Sequence, residues 1–110
     1  MTVGTDLVHI PSFSKSLDQM KHLSDEKIFT QAELKIHTSL ESLAGVFAAK
    51  EAVVKAVSLT TLQLSDIEVL KHQSGKPYVV CDILASMCTV DLSISHDGEY
   101  AVAFAIAEWK

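Results

Sequence analysis

LAGVFAAKEAVVKAV, residues 43–57, is the stretch that decides the fold. At about 100° per residue, the turn angle of an α-helix, its large apolar side chains share one broad arc, and alanines with one glycine fill most of the remaining surface. The arc consists of Leu43, Val46, Phe47, Val53, Val54 and Val57. We expect a helix buried on two sides, with its small face close to a neighbouring backbone.

Three charged residues interrupt this helix: Lys50, Glu51 and Lys55. Charged side chains are rarely buried unless they are paired or bind a ligand, which favours a functional site here. The alternative is structural: Glu51 and Lys55, four residues apart, form a helical ion pair, while Lys50 extends its ammonium group to water.

The last strand is predicted over Tyr100–Trp109, YAVAFAIAEW. Large apolar residues at positions 102, 104 and 106 point one way, and small residues point the other way. The small face consists of Ala101, Ala103, Ala105 and Ala107. A strand with an all-alanine face allows a helix to pack closely, and the alanine face of residues 43–57 is the natural partner.

The remaining elements follow from periodicity, caps and turn residues. Thr30 and Glu33 form a capping box that predicts a helix over TQAELKIH. We also predict strands over 2–10, 67–71, 78–83 and 90–95, a turn over 73–77, a connector over 85–89, and short helices over 14–22 and from 24 to 29. The fold class is therefore α+β, with helices packed on a largely antiparallel sheet, and residues 1–110 are expected to form one domain.

Composition excludes several classes of protein. The net charge is −5 and all nine basic residues are lysines, which argues against a general nucleic-acid-binding surface. No apolar run reaches the ~20 residues of a membrane span, and the first residues carry no basic stretch, so we expect a cytoplasmic protein with no membrane partner. Cys81 and Cys88 have no metal-site spacing and are expected to be reduced. Hydrophobic residues make up 48%, an apolar excess that suggests burial between subunits.

Two carboxylates stand in otherwise apolar elements: Asp6 in the first strand and Glu51 in the central helix. Two such groups ionise together comfortably only with a cation between them, and Mg²⁺ commonly uses one or two carboxylates together with waters and substrate phosphates. Lys50 and Lys55 would then neutralise phosphate groups. His96, at a hairpin end, is either a solvated turn residue or a ligand contact.

The chain resembles a known family through five stretches that occur in order. They are GTDLVHI (4–10), FTQAEL (29–34), LAGVFAAKEAVVKAV (43–57), IEVLKHQSGKPYVV (67–80) and DLSISHDGEYAVAFAI (91–106). Together they are similar to the motifs of holo-acyl-carrier-protein synthases, the short 4′-phosphopantetheinyl transferases. The resemblance implies an Mg²⁺-dependent homotrimer with active sites between subunits. It also implies transfer of phosphopantetheine from coenzyme A to a serine of an acyl carrier protein, with release of adenosine 3′,5′-bisphosphate.

The resemblance also implies roles for individual residues. Asp6 and Glu51 match the metal-binding carboxylates, and with Lys55 they form the catalytic set. The residues that match contacts to coenzyme A are Lys50, Lys55, Gly75, Lys76, Pro77 and His96. An attacking serine builds negative charge on phosphate oxygens, which a metal and lysines stabilise. The base for that serine is either a carboxylate near Asp6 or Glu51, or a water bound to Mg²⁺.

The sequence departs from the family pattern at several points. The arginines usual near Pro11 and Ser12 and at Val46 are missing, and SLTTLQL replaces a glycine-rich segment after the central helix. We therefore expect Lys15 and Lys21 to recognise the acidic carrier. The alternative function is that of a non-catalytic trimeric relative, which binds a carrier protein or coenzyme A without transferring the arm.

Overall fold

The computed structural model describes residues 1–19 and 28–110, which form five strands, four α-helices and a short 3₁₀ turn. In chain order these are β1 Thr2–His9, α1 Ile10–Asp18, α2 Gln31–Ile36, α3 Leu40–Val57, the 3₁₀ turn Leu64–Asp66, β2 Glu68–Lys71, β3 Pro77–Val80, α4 Asp82–Ala85, β4 Cys88–Asp97 and β5 Tyr100–Trp109. The predicted α+β class with antiparallel pairing is confirmed.

The main sheet has the strand order β1-β5-β4, with both pairs antiparallel, and β2 and β3 form a separate hairpin. Helix α3 packs across the alanine face of β5. All four of those alanines are at most 1% exposed, and Ala48, Ala49 and Ala52 on the helix are fully buried. The prediction that the two small-residue faces meet is confirmed, because neither face carries a side chain that would hold the backbones apart.

The closest approach in this packing occurs at Gly4. A Cβ atom at that position would lie 2.0 Å from the Ala52 carbonyl oxygen and 2.7 Å from the Ala56 nitrogen. Only glycine therefore allows β1 to lie this close to α3. The same strand face carries Asp6 and Val8, whose register partners on β5 are Ala103 and Ala101.

Helix boundaries follow local capping chemistry. Thr30 and Glu33 form the predicted capping box, and Ser39 caps α3 by accepting a hydrogen bond from the Ser42 amide. The predicted helix over 14–22 is shifted: α1 begins at Ile10, because Pro11 occupies its first turn, where a missing N–H costs nothing. At the other end of α3, Ser58 adopts the left-handed conformation (φ 52°) that glycine usually supplies after a helix.

Other predicted boundaries were wrong by a few residues. Strand β4 is longer than predicted and begins inside the predicted connector. Strand β3 ends at Val80 rather than at residue 83, and the short helix α4 begins at Asp82, where the strand was expected to continue. The helix predicted after residue 24 falls largely on residues outside the described part of the chain. Cys81 and Cys88 are buried free thiols, and burial raises the pKa of the Cys88 thiol.

Candidate functional site

Asp6 and Lys55 meet where β1 passes under α3. The Lys55 ammonium lies 3.2 Å from Asp6 Oδ1 and donates to the Thr5 carbonyl at 3.0 Å. The Asp6 side chain is 18% exposed and that of Lys55 56% exposed. Lys55 therefore pairs across to the strand, and the predicted helical pair with Glu51 is not formed in the described structure.

Glu51 stands beside this ion pair on α3 and is half-buried. Its carboxyl pKa is raised above the usual value, first by burial and then by the negative charge of Asp6, while Lys55 acts in the opposite direction. The structure thus brings Asp6, Glu51 and Lys55 together. When both are ionised, Asp6 and Glu51 carry two negative charges, and Lys55 balances only one of them. The remaining negative charge favours binding of a cation.

A cavity of about 370 Å³ opens beside these carboxylates. Asp6 and Glu51 supply its charged wall, and Phe13, Phe47 and Ile28 supply apolar wall. The sequence interpretation missed its polar rim, which consists of His9, Ser12 and Ser16. Ser12 hydrogen-bonds the His9 ring at 2.7 Å.

Lys50 is fully buried and lies outside this cavity. Its ammonium donates to Glu33 Oε1 at 2.6 Å and to the Ile28 carbonyl. The other oxygen of Glu33 accepts from the Val69 amide at 2.7 Å. Burial lowers the pKa of Lys50, against the opposing effect of Glu33. The alternative that Lys50 extends to water is wrong, because its side chain is fully buried and its ammonium binds two protein groups inside the core. A contact between Lys50 and coenzyme A remains a prediction.

The second group of expected site residues lies on the far side of α3. Gly75, Pro77 and His96 line a separate cavity of about 310 Å³, together with Lys71 and the first turns of α3. Gly75 has a φ of +92°, which only glycine adopts without strain. Lys76 does not line this cavity, and its ammonium instead lies 3.2 Å from Asp91 in an exposed ion pair.

His37 closes the floor of the second cavity and was not singled out by the sequence. Its Nε2–H donates to the Val69 carbonyl at 2.8 Å and its Nδ1 accepts from the Ser42 hydroxyl. Burial lowers the His37 pKa, and both ring nitrogens bind protein groups, so the ring has a structural role. No sequence pattern indicates such a role, because Val69 is 32 residues away in the chain and Ser42 belongs to the next helix.

The comparison with known proteins gives the class. Residues 2–105 match the 4′-phosphopantetheinyl transferase superfamily, and the chain belongs to it. The holo-[acyl-carrier-protein] synthase of Chlorobaculum tepidum is 40% identical, covering 98% of each chain. That of Bacillus subtilis is 37% identical, covering 96% of this chain and 93% of the relative.

A solved structure agrees with both relatives. The ACPS–CoA complex of Chronobacterium ammoniagenes is 32% identical, with a TM-score of 0.85 and coverage of 99% of this chain and 97% of that one. Within the superfamily, the chain is a member of the holo-[acyl-carrier-protein] synthases and an enzyme of that group. The resemblance inferred from the five sequence stretches is confirmed.

Lys15 is exposed on α1, consistent with a contact to a partner, whereas Lys21 lies outside the described residues. Among residues 1–19 and 28–110, no helix combines the length and apolar character needed to cross a membrane. In the same part of the chain, no cluster of three or more histidine, cysteine or acidic residues is arranged to hold a metal.

The raised pKa of Glu51 predicts a pH dependence of stability. A carboxyl whose folded pKa exceeds its unfolded value stabilises the fold below the unfolded pKa, and this contribution is lost as pH rises through the folded pKa. Relative to Glu51→Gln, the wild type should therefore lose stability as pH rises from below 4.5 through that window. Urea unfolding of both proteins across this pH range measures the difference.

The control for this experiment is Glu108→Gln, on an exposed residue of β5. Its stability relative to wild type should not change over the same pH window. A Glu51→Gln variant that is less stable than wild type at neutral pH would contradict the assignment, because it would show that the charge of Glu51 stabilises the fold.

Proposed function

We propose that this enzyme transfers the 4′-phosphopantetheine arm of coenzyme A to a serine of an apo acyl carrier protein and releases adenosine 3′,5′-bisphosphate. The observation that carries the proposal is the meeting of Asp6, Glu51 and Lys55 beside one cavity. The names of the relatives, and the coenzyme A complex of one of them, support the same substrates.

The donor set at this cavity fits Mg²⁺. Mg²⁺ usually takes one or two carboxylates from a protein and completes its octahedron with waters and substrate phosphates. Asp6 and Glu51 supply two carboxylates, and the charge of Asp6 helps to raise the pKa of Glu51, a repulsion that a cation would remove. When bound, the metal would neutralise negative charge that develops on the phosphate oxygens.

Lys55 would act on the same charge from the protein side. Its side chain is 56% exposed, and its ammonium is held beside Asp6 by the carbonyl of Thr5. Because the Asp6 side chain is only 18% exposed, Lys55 would turn to a phosphate oxygen when a bound metal ion balances the charge of Asp6. The serine that attacks the β-phosphorus must lose a proton, and the carboxylate pair offers an acceptor at the same cavity.

In this proposal the nucleotide end of coenzyme A occupies the second cavity, and the fold separates this cavity from the one beside Asp6 and Glu51. Asp6 lies on β1 and His96 on β4, and these strands form opposite edges of the sheet, about 10 Å apart by strand spacing. Both strands flank β5, over whose alanine face α3 packs. A ligand that touches both groups of the same chain would have to pass around this helix, which favours a site completed by a second subunit.

The outer face of the sheet is the proposed contact between subunits. It carries exposed apolar side chains from two strands, among them Val3, Leu7, Val102 and Phe104. A groove on this face is lined by Leu7 and Val102 and also reaches His96. A neighbour seated there would lie next to the second cavity, which supports the homotrimer that the family resemblance implies.

Light scattering tests this assembly. We expect a particle of about three times the 12.0 kDa chain mass, and a shift toward the monomer for Phe104→Lys, because a charge would be buried in the contact. Ser86→Lys, at an exposed position just after α4 and outside this sheet, serves as the control and should leave the mass unchanged. A stable wild-type monomer at micromolar concentration would contradict the shared site.

The proposed reaction is tested by incubating the protein with an apo acyl carrier protein, coenzyme A and Mg²⁺ and measuring the intact mass of the carrier. Asp6→Asn and Glu51→Gln should each lower the rate ~10²–10³-fold, since each removes charge stabilisation at the transferring phosphorus. Asp82→Asn, an exposed carboxylate on α4 outside both cavities, is the matched control.

Two outcomes would overturn the assignment. Near-normal turnover of either carboxylate variant would exclude the metal site. Binding of coenzyme A by the wild type, without any gain in carrier mass, would instead favour the alternative of a non-catalytic binding protein.

A further inference from the structure

Gly45 lies in the second turn of helix α3, and glycine is among the poorest helix formers. A Cβ atom at this position would lie 3.0 Å from His96 Nε2, 3.2 Å from His96 Cε1 and 3.0 Å from Ile94 Cγ2. These neighbours are side chains of β4, so the space that Gly45 leaves open is filled largely by the imidazole ring of His96.

In that space the His96 ring is held by the backbone of the helix. Its Nε2 lies 2.8 Å from the Glu41 carbonyl oxygen. A carbonyl oxygen only accepts hydrogen bonds, so Nε2 carries the proton and the neutral ring is the Nε2–H tautomer. The contact therefore fixes both the orientation of the ring and the protonated nitrogen, and it leaves Nδ1 available to a ligand.

Both residues line the same cavity. Gly45 and His96 form part of its wall together with Lys71, Gly75 and Pro77. The orientation of the His96 ring consequently decides which nitrogen a bound ligand meets. A ring free to rotate would present either nitrogen and would lose entropy on binding.

We propose that Gly45 is a positioning residue for His96 in recognition of the nucleotide part of coenzyme A. Gly45 leaves free the space in which the His96 ring reaches the Glu41 carbonyl, where a Cβ atom would lie 3.0 Å from Nε2. His96 is thereby held with Nδ1 toward the ligand before the ligand arrives. The inference rests on the proposed function, since it assigns the nucleotide to the second cavity.

Gly45→Ala tests this inference in a double-mutant cycle with His96→Ala. The added methyl group must displace the imidazole by a few tenths of an ångström, which weakens its bond to Glu41. We expect the KM for coenzyme A to rise roughly five- to tenfold, the effect of losing one well-placed hydrogen bond, with kcat changed less than about twofold. In the His96→Ala background the same substitution should leave the KM unchanged.

A purely structural role of Gly45 makes different predictions. Gly45→Ala would then lower the thermal midpoint and leave the KM for coenzyme A unchanged, whereas positioning predicts a raised KM whatever the midpoint. A KM that does not change in Gly45→Ala overturns the proposal. A KM that changes equally with and without His96 also overturns it.

A second measurement separates failure of this inference from failure of the proposed function. Long-range ¹⁵N spectra of the imidazoles, recorded on the wild type without ligand, should show His96 as the Nε2–H tautomer, and Gly45→Ala should show a tautomer mixture. Absence of carrier loading with these spectra as expected would reject the transfer reaction only. A His96 tautomer mixture in the wild type would reject the positioning role whatever the activity.

Discussion

The closeness of β1 to α3 at Gly4 is the constraint on which the rest of the structure depends. The strand backbone lies so near the helix that a Cβ atom would fall 2.0 Å from the Ala52 carbonyl oxygen. Asp6 follows two residues later on the same face, and Lys55 reaches both it and the Thr5 carbonyl. Because Gly4 has no side chain, β1 lies close enough to α3 for the Asp6 carboxylate to reach Lys55.

The neighbouring charged residues of α3, Lys50 and Glu51, lie in different surroundings: Lys50 is buried in the core and Glu51 lines a cavity. One helix can therefore both stabilise the fold and carry a functional site. Lys50 lies in the core and donates a hydrogen bond to Glu33. The Glu33 carboxylate also accepts hydrogen bonds from the backbone amides of Thr30 and Val69. Breaking such a buried pair by removing one partner is strongly destabilising, since it leaves an uncompensated charge. Glu51, the next residue, instead lines the cavity beside Asp6. Because the bond between Lys50 and Glu33 holds one side of α3 against the core, it also fixes the rotation of the helix that directs Glu51 toward this cavity.

Much of the fold could be predicted from sequence because its signals are local. Alternation along residues 100–109, the Thr30–Glu33 capping box and the Gly75 turn each need only neighbours in the chain. The partner of Lys50 could not be predicted in the same way. Glu33 was already assigned to a cap, and nothing local shows that its carboxylate also binds a lysine seventeen residues away. The expected site residues are also divided between two cavities, because β1 and β4 lie on opposite sides of β5. Hydrophobic periodicity along the sequence does not determine this strand order.

The most direct test of the central claim is the free energy of unfolding of Gly4→Ala, measured by urea denaturation beside wild type and the control Glu108→Ala. A methyl group at Gly4 meets helix backbone, which cannot move without shifting all of α3, unlike the side chains that surround Gly45. The account predicts a loss of about 3 kcal/mol or more for Gly4→Ala and a change within about 0.5 kcal/mol for the control. A Gly4→Ala variant as stable as the wild type would contradict it.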